Sequence, residues 1–142
     1  MLILLAVGGL GNQLFEYSTA RAAAVRLGTD LVIDLRYFTD EGPRGFNSFW
    51  LDLLGVQAKY RRYPNSGIFS PQSLLVKIYQ RFVEERLLRV YQQREMGFDP
   101  KVNEIKDWTF LRGNFQSYRY FEHLRKELLS EFSIGQFIDE PA

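Results

Sequence analysis

The sequence predicts an α/β domain, a Rossmann-like parallel sheet with flanking helices. Three observations carry that expectation. Residues 2–7 form a short, continuously apolar run with glycines directly after it. A stretch of helical periodicity follows, ends at Gly28, and gives way to a second apolar run over 31–35. The pattern returns over 108–132, where Trp108-Thr-Phe-Leu-Arg112 precedes Gly113 and another helical stretch. Continuous apolar runs of this length are strands buried on both faces. Strand, helix and strand in succession make a parallel crossover, right-handed by default.

Each element has its local signals. Asn12 is an N-cap candidate for a helix over 13–26, on which Leu14, Tyr17, Ala20, Ala24 and Leu27 recur at helical spacing. Ala20, Ala22, Ala23 and Ala24 let that helix lie close to a sheet, and Gly28 ends it. Residues 36–47 are polar, contain Gly42, Pro43 and Gly45, and read as a loop. A short helix over 49–54, a strand over 56–63 and a loop over 64–71 come next. Residues 74–93 read as one amphipathic helix, with Leu75, Ile78, Phe82, Leu87 and Val90 near one face. Arg81, Glu84, Glu85 and Arg89 on it read as surface ion pairs, and Lys59, Arg61 and Arg62 as a solvated patch. Gly97 and Pro100 interrupt the pattern. A strand over 108–112, a turn over 113–117 and a helix over 120–132 complete a single domain of residues 1–134. Residues 135–142 read as a linker toward a second domain.

Composition narrows the function. A net charge of +1, from 18 basic and 17 acidic residues, gives no nucleic-acid footprint. With no Cys and one His, thiolate and His-based metal sites are excluded. The apolar start lacks the basic leader and cleavage pattern of a signal peptide, and no stretch approaches the roughly 20 apolar residues of a membrane span. The expected location is the cytoplasm, or at most the periphery of a membrane. Aromatics reach 15%, enough to line a sugar cleft, although most read as core.

The first strand, turn and helix form the chemical centre. A glycine turn lets backbone approach a ligand, and the helix start offers unpaired N–H groups to an anion such as a diphosphate. Gly9-Leu-Gly11 begins like a dinucleotide fingerprint, but Leu14 stands where the third glycine belongs. Asp34 ends the second strand, where a ribose-binding acid would sit; a structural role at the strand end is the favoured reading. No Gly-Lys-Ser/Thr phosphate loop is present.

Gly8-Gly-Leu-Gly-Asn-Gln-Leu-Phe-Glu-Tyr17 resembles the amino-terminal signature of glycosyltransferase family 11, the α-1,2-fucosyltransferases. The likeness runs on through the Ala-rich helix and residues 31–35 to Tyr37-Phe38. It returns at Gly113-Asn-Phe-Gln-Ser117, where Asn114 replaces the family's usual Tyr. The resemblance covers only the first half of the family's usual length. It implies the amino-terminal domain of a two-domain GT-B enzyme that moves fucose from GDP-fucose to a galactoside hydroxyl with inversion, with no metal or cofactor. By this resemblance Gly9, Gly11, Asn12, Gln13, Asp34 and Gln116 are the donor/acceptor cleft candidates. Asn12 is the foremost, donating to a phosphate or orienting the acceptor hydroxyl; Gln116 and Ser117 either face the cleft or cap the next helix.

The family's His-x-Arg-Arg-Gly-Asp donor motif is not in the sequence. His123-Leu-Arg125 is followed by Lys126-Glu127 and reads as part of a partly exposed helix. The chain is therefore expected to be inactive alone, a truncated product, a fragment or a degenerate relative, whose second domain is missing. No catalytic base is assigned; neither Asp34 nor Glu16 is nominated. Two other readings stay open, a non-catalytic sugar- or nucleotide-binding module and a plain dinucleotide-binding domain, the latter opposed by Leu14.

Overall fold

In the computed structural model, β1 (Leu2–Leu5) is the middle strand of a five-stranded sheet. The structure describes residues 1–38, 45, 48–64, 68 and 70–133, with Glu84 and Glu85 described as backbone only. The expected linker over 135–142 lies outside the described residues. After β1 come α1 (Leu10–Leu27), β2 (Leu31–Asp34) and β3 (Lys59–Arg61). α2 (Leu74–Tyr79) continues through a π-helical stretch, Gln80–Glu84, into α3 (Glu85–Leu87). β4 (Arg89–Gln92), β5 (Thr109–Arg112) and α4 (Arg125–Glu131) complete the order.

The strands lie in the order β3-β2-β1-β5-β4, and every pair is parallel. The parallel α/β arrangement expected from the apolar runs is what the chain adopts. Leu2 stands opposite Leu31 on one side and Thr109 on the other. One face carries the main core, in which Leu2, Leu4, Ala6, Ile33 and Leu111 meet Tyr17, Ala20 and Ala24 of α1. The alanines are buried, so α1 seats closely on the sheet. The opposite face has a smaller cluster of Ile3, Leu5 and Phe110. Gly28 adopts the left-handed conformation (φ 61°, ψ 40°) and stops α1 as its sequence position implies.

Four expectations are corrected. α1 starts at Leu10 with Gly9 as its N-cap and no side-chain cap, so Asn12 sits in the first turn and is not the cap. The helix expected over 74–93 ends at Leu87, because residues 89–92 pair with β5 as an edge strand. Tertiary pairing overrides the helical period there, and Val90 and Tyr91 suit a strand. Arg89 consequently cannot share a helix face with Arg81. The helix expected from residue 120 is two 3₁₀ turns, Tyr118–Tyr120 and Glu122–Leu124, before α4 begins. Finally, Arg61 is not part of a merely solvated patch, since its Nη1 lies 3.2 Å from buried Asp34.

A polar cluster pins α4 to α1. Buried Tyr17 donates its hydroxyl hydrogen to Glu131 and accepts from the Gln57 N–H at 2.8 Å, while Arg21 Nε meets Glu131 at 3.0 Å. Desolvation and the neighbouring carboxylate push the Tyr17 hydroxyl well above its usual pKa, so it stays a donor. Tyr17→Phe is expected to cost about 1–3 kcal/mol, the range for leaving buried polar partners unpaired. Urea unfolding reads this directly, and an unchanged midpoint would dismiss the cluster as a stabilising contact.

Candidate ligand-binding cleft

β1 and β5 are neighbours although about a hundred residues separate them. From β1 the chain winds to β2 and β3 on one side; β4 lies beyond β5 on the other. The winding reverses between β1 and β5, and open parallel sheets bind ligands outside the carboxyl ends at such a point. Two glycine-led turns meet there, one over 8–12 and one over 113–117. Gln116 Nε2 donates to Asn12 Oδ1 at 2.9 Å and bridges them.

Glycine is needed at two places in these turns. Gly8 has φ +71°, and a Cβ on it would stand 2.6 Å from Asn12 Nδ2. Gly113 has φ +152°, and a Cβ there would meet the Gln93 Cβ at 2.5 Å. Gln93 is held close because its Oε1 accepts from the Phe115 N–H at 2.8 Å, which fixes the second turn. L-residues rarely adopt such backbone angles, so both sites are closed to larger residues by conformation and by space.

The remaining sequence candidates divide. Gly9 is buried at the helix cap, and Gly11 faces open space. Gln13 is fully buried and spent on the fold: Nε2 donates to the Gly8 and Ser48 carbonyls, both at 2.8 Å, and Oε1 accepts from the Trp50 N–H. Asp34 is likewise 0% exposed. It accepts from Arg36 Nε at 3.0 Å and Nη2 at 2.7 Å, and from Arg61 and Tyr63. Asp34 is therefore an anchor that holds Arg36 in place. Ser117 makes no side-chain cap, and His123 is exposed in a 3₁₀ turn.

Glu16 lies fully buried behind the first turn, where Oε2 accepts from the Val7 N–H at 3.0 Å and Oε1 has no partner. Desolvation raises its pKa from 4.5 to about 8, against a smaller lowering by the Val7 hydrogen bond. It has no exposed surface from which to take a substrate proton.

An open cleft of about 790 Å³ lies at the carboxyl ends of β1, β5 and β4, under α2 and its π-helical extension. Arg36, Lys77, Arg81 and Arg112 line it, and no acidic residue does. The Arg36 and Arg112 guanidiniums sit 5.3 and 4.9 Å from the centre of the same Phe110 ring. Gly113 and Asn114 also line an adjoining cavity of about 250 Å³, which reaches Gln116. Sequence reasoning singled out none of these four cations for the cleft. Arg36 and Arg112 were legible as cations at or just past the carboxyl ends of predicted neighbouring strands. Lys77 and Arg81 were legible as a helical i, i+4 pair. Among the described residues, no three His, Asp or Glu side chains group so as to hold a metal ion, and no helix is long and apolar enough to cross a membrane.

With that geometry, the comparisons become informative. The chain is similar to an α-1,2-colitosyltransferase. That protein, from Escherichia coli, is 29% identical over 121 residues, 84% of this chain and 40% of the relative. The chain thus spans well under half the length of the curated relative it matches. No family model matches the chain, and no solved structure matches it. The similarity supports the coarse expectation of a glycosyltransferase-like chain; the sugar in the relative's name is colitose rather than fucose.

Proposed function

We propose that this chain is the amino-terminal domain of an inverting glycosyltransferase that moves a deoxy sugar, L-fucose or colitose, from its GDP-linked donor to the 2-hydroxyl of a galactoside. The observation that carries this reading is the meeting of the two signature-bearing turns at the switch point, bridged by Asn12 and Gln116. The similarity over 84% of the chain to a transferase forming an α-1,2 linkage supports it.

In such a reaction the acceptor oxygen attacks the anomeric carbon as the bond to the diphosphate breaks, and the acceptor proton passes to a base or to water. The leaving group gains negative charge, which guanidinium groups stabilise well. This domain contributes the Gly8–Asn12 and Gly113–Ser117 backbone and the Asn12–Gln116 pair, which orient a sugar hydroxyl or a phosphate oxygen at the crevice. The proton acceptor is not assigned among its residues; Glu16 is excluded by burial.

The test is transfer to a β-galactoside such as lactose, with GDP-fucose and GDP-colitose as separate donors. The chain by itself is expected to give no product, because the donor arginines of the His-x-Arg-Arg-Gly-Asp signature are absent from its sequence. Joined to a second domain carrying that signature, it is expected to form an α-1,2-linked product with at least one donor. A joined, folded protein that transfers neither sugar would sink the reading.

A further inference from the structure

The donor arginines implied by the family resemblance are absent from this chain, so the cationic cleft described above has no role in that picture. Its composition is nonetheless one-sided. Arg36 is locked by the bidentate grip of Asp34, and both it and Arg112 rest against Phe110, so two guanidiniums are fixed before any ligand arrives. On the opposite wall, Lys77 and Arg81 make no ion pair with any described residue. Gln80 stands between them in sequence and also lines the cleft. Its Nε2 is enclosed yet has no hydrogen-bond partner among the described residues. Four cations and an unspent amide donor around one space, with no carboxylate lining it, repel one another unless an anion is bound.

We infer that this cleft binds the diphosphate group of a sugar or nucleoside diphosphate ester. A single carboxylate would leave most of the lining charge uncompensated. A diphosphate presents oxygens to both walls at once and matches the planar donor fork of arginine. The cleft, at about 790 Å³, also has room for the group esterified to it. The inference rests on the transferase reading for the kind of ester, but the binding itself requires no transfer. Two sources share this chemistry: the nucleotide of the donor, and an acceptor glycan carried on a diphosphate.

Calorimetric titration of the 142-residue chain with inorganic pyrophosphate at low salt is the direct experiment. Saturable one-site binding is expected, weakening as salt is raised. The double variant Lys77→Gln, Arg81→Gln is the critical comparison. Both side chains are exposed and lie outside the Asp34 network, so the circular dichroism spectrum should be retained. Its affinity for pyrophosphate is expected to fall about tenfold or more through loss of two charge-assisted contacts. No saturable binding by the parent chain overturns the inference. So does a folded double variant that binds equally well, or sulfate binding as tightly as pyrophosphate. GDP and galactosyl diphosphate then separate the sources: tighter binding of GDP assigns the cleft to the donor, tighter binding of galactosyl diphosphate to the acceptor. Pyrophosphate binding without transfer by the joined enzyme would refute the transferase reading alone, and transfer without pyrophosphate binding would refute this inference alone.

Discussion

Glu16→Gln is expected to stabilise the protein at pH 8 and leave it nearly unchanged at pH 4. Below about pH 4.5 the Glu16 carboxyl is protonated in the folded and the unfolded chain alike. Between that value and about 8 the unfolded chain releases the proton while the folded chain keeps it. The native state then binds more protons than the unfolded state, so stability falls as pH rises through this window. The full penalty is reached above about pH 8, and a shift of this size corresponds to on the order of 3–5 kcal/mol. Glutamine cannot ionise, and its Oε1 replaces the acceptor for the Val7 N–H. The melting temperatures of parent and variant should therefore diverge from pH 5 to pH 8, by more than about 5 °C at the upper end. Parallel melting profiles across that window would show that Glu16 ionises in the folded chain without penalty.

The fold was legible where apolar runs and glycines agreed. Residues 2–7 and 31–35 announce central strands because both faces of a parallel sheet are covered and no polar position interrupts them. Gly28 announces a helix end because few other residues tolerate φ near +60°. β4 was illegible for the opposite reason. As an edge strand of four residues it is mostly exposed, and its apolar positions fall in step with the helix before it. Only pairing with β5, contributed by residues about 20 positions later, decides its conformation.

The site was legible in its turns and not in its walls. Gly8–Asn12 and Gly113–Ser117 carry signals of local sequence, and the structure brings them to one crevice. Gln13 and Asp34 were singled out by motif position, but burial and saturated hydrogen bonding commit them to holding the fold. Polar type alone does not distinguish a side chain bonded to its own backbone from one offered to a ligand. The cations of the cleft come from β2, α2 and β5, and their convergence is a property of strand order. Asp34 shows how the two roles connect: it takes no place in the cleft lining and fixes Arg36, which does.

Asn12 and Gln116 are expected to act as one unit, and a double-mutant cycle exposes this. Asn12 loses its presumed capping role, since the helix starts two residues before it with Gly9 as cap. Its Oδ1 instead holds the Gln116 amide, which lines the smaller cavity at the switch point. The pair is partly to fully exposed, so Asn12→Ala should cost no more than about 1 kcal/mol of stability. In the enzyme joined to its second domain, the loss in kcat/KM should be far larger, on the order of 10²-fold, because misplacing one orienting donor removes contacts made at the reacting centre. Gln116→Ala should lose a similar factor. The double variant should lose little more than either single change, since each alone already dissolves the bridge. Asn12→Asp sharpens the test. Aspartate still accepts from Gln116, and a carboxylate in the first turn of α1 favours the helix, so melting should be retained or slightly raised. Its negative charge near a diphosphate should nonetheless weaken substrate binding and raise KM. Additive losses in the cycle, or an Asn12→Asp enzyme with parental kcat and KM, would reduce this pair to a surface contact between two loops.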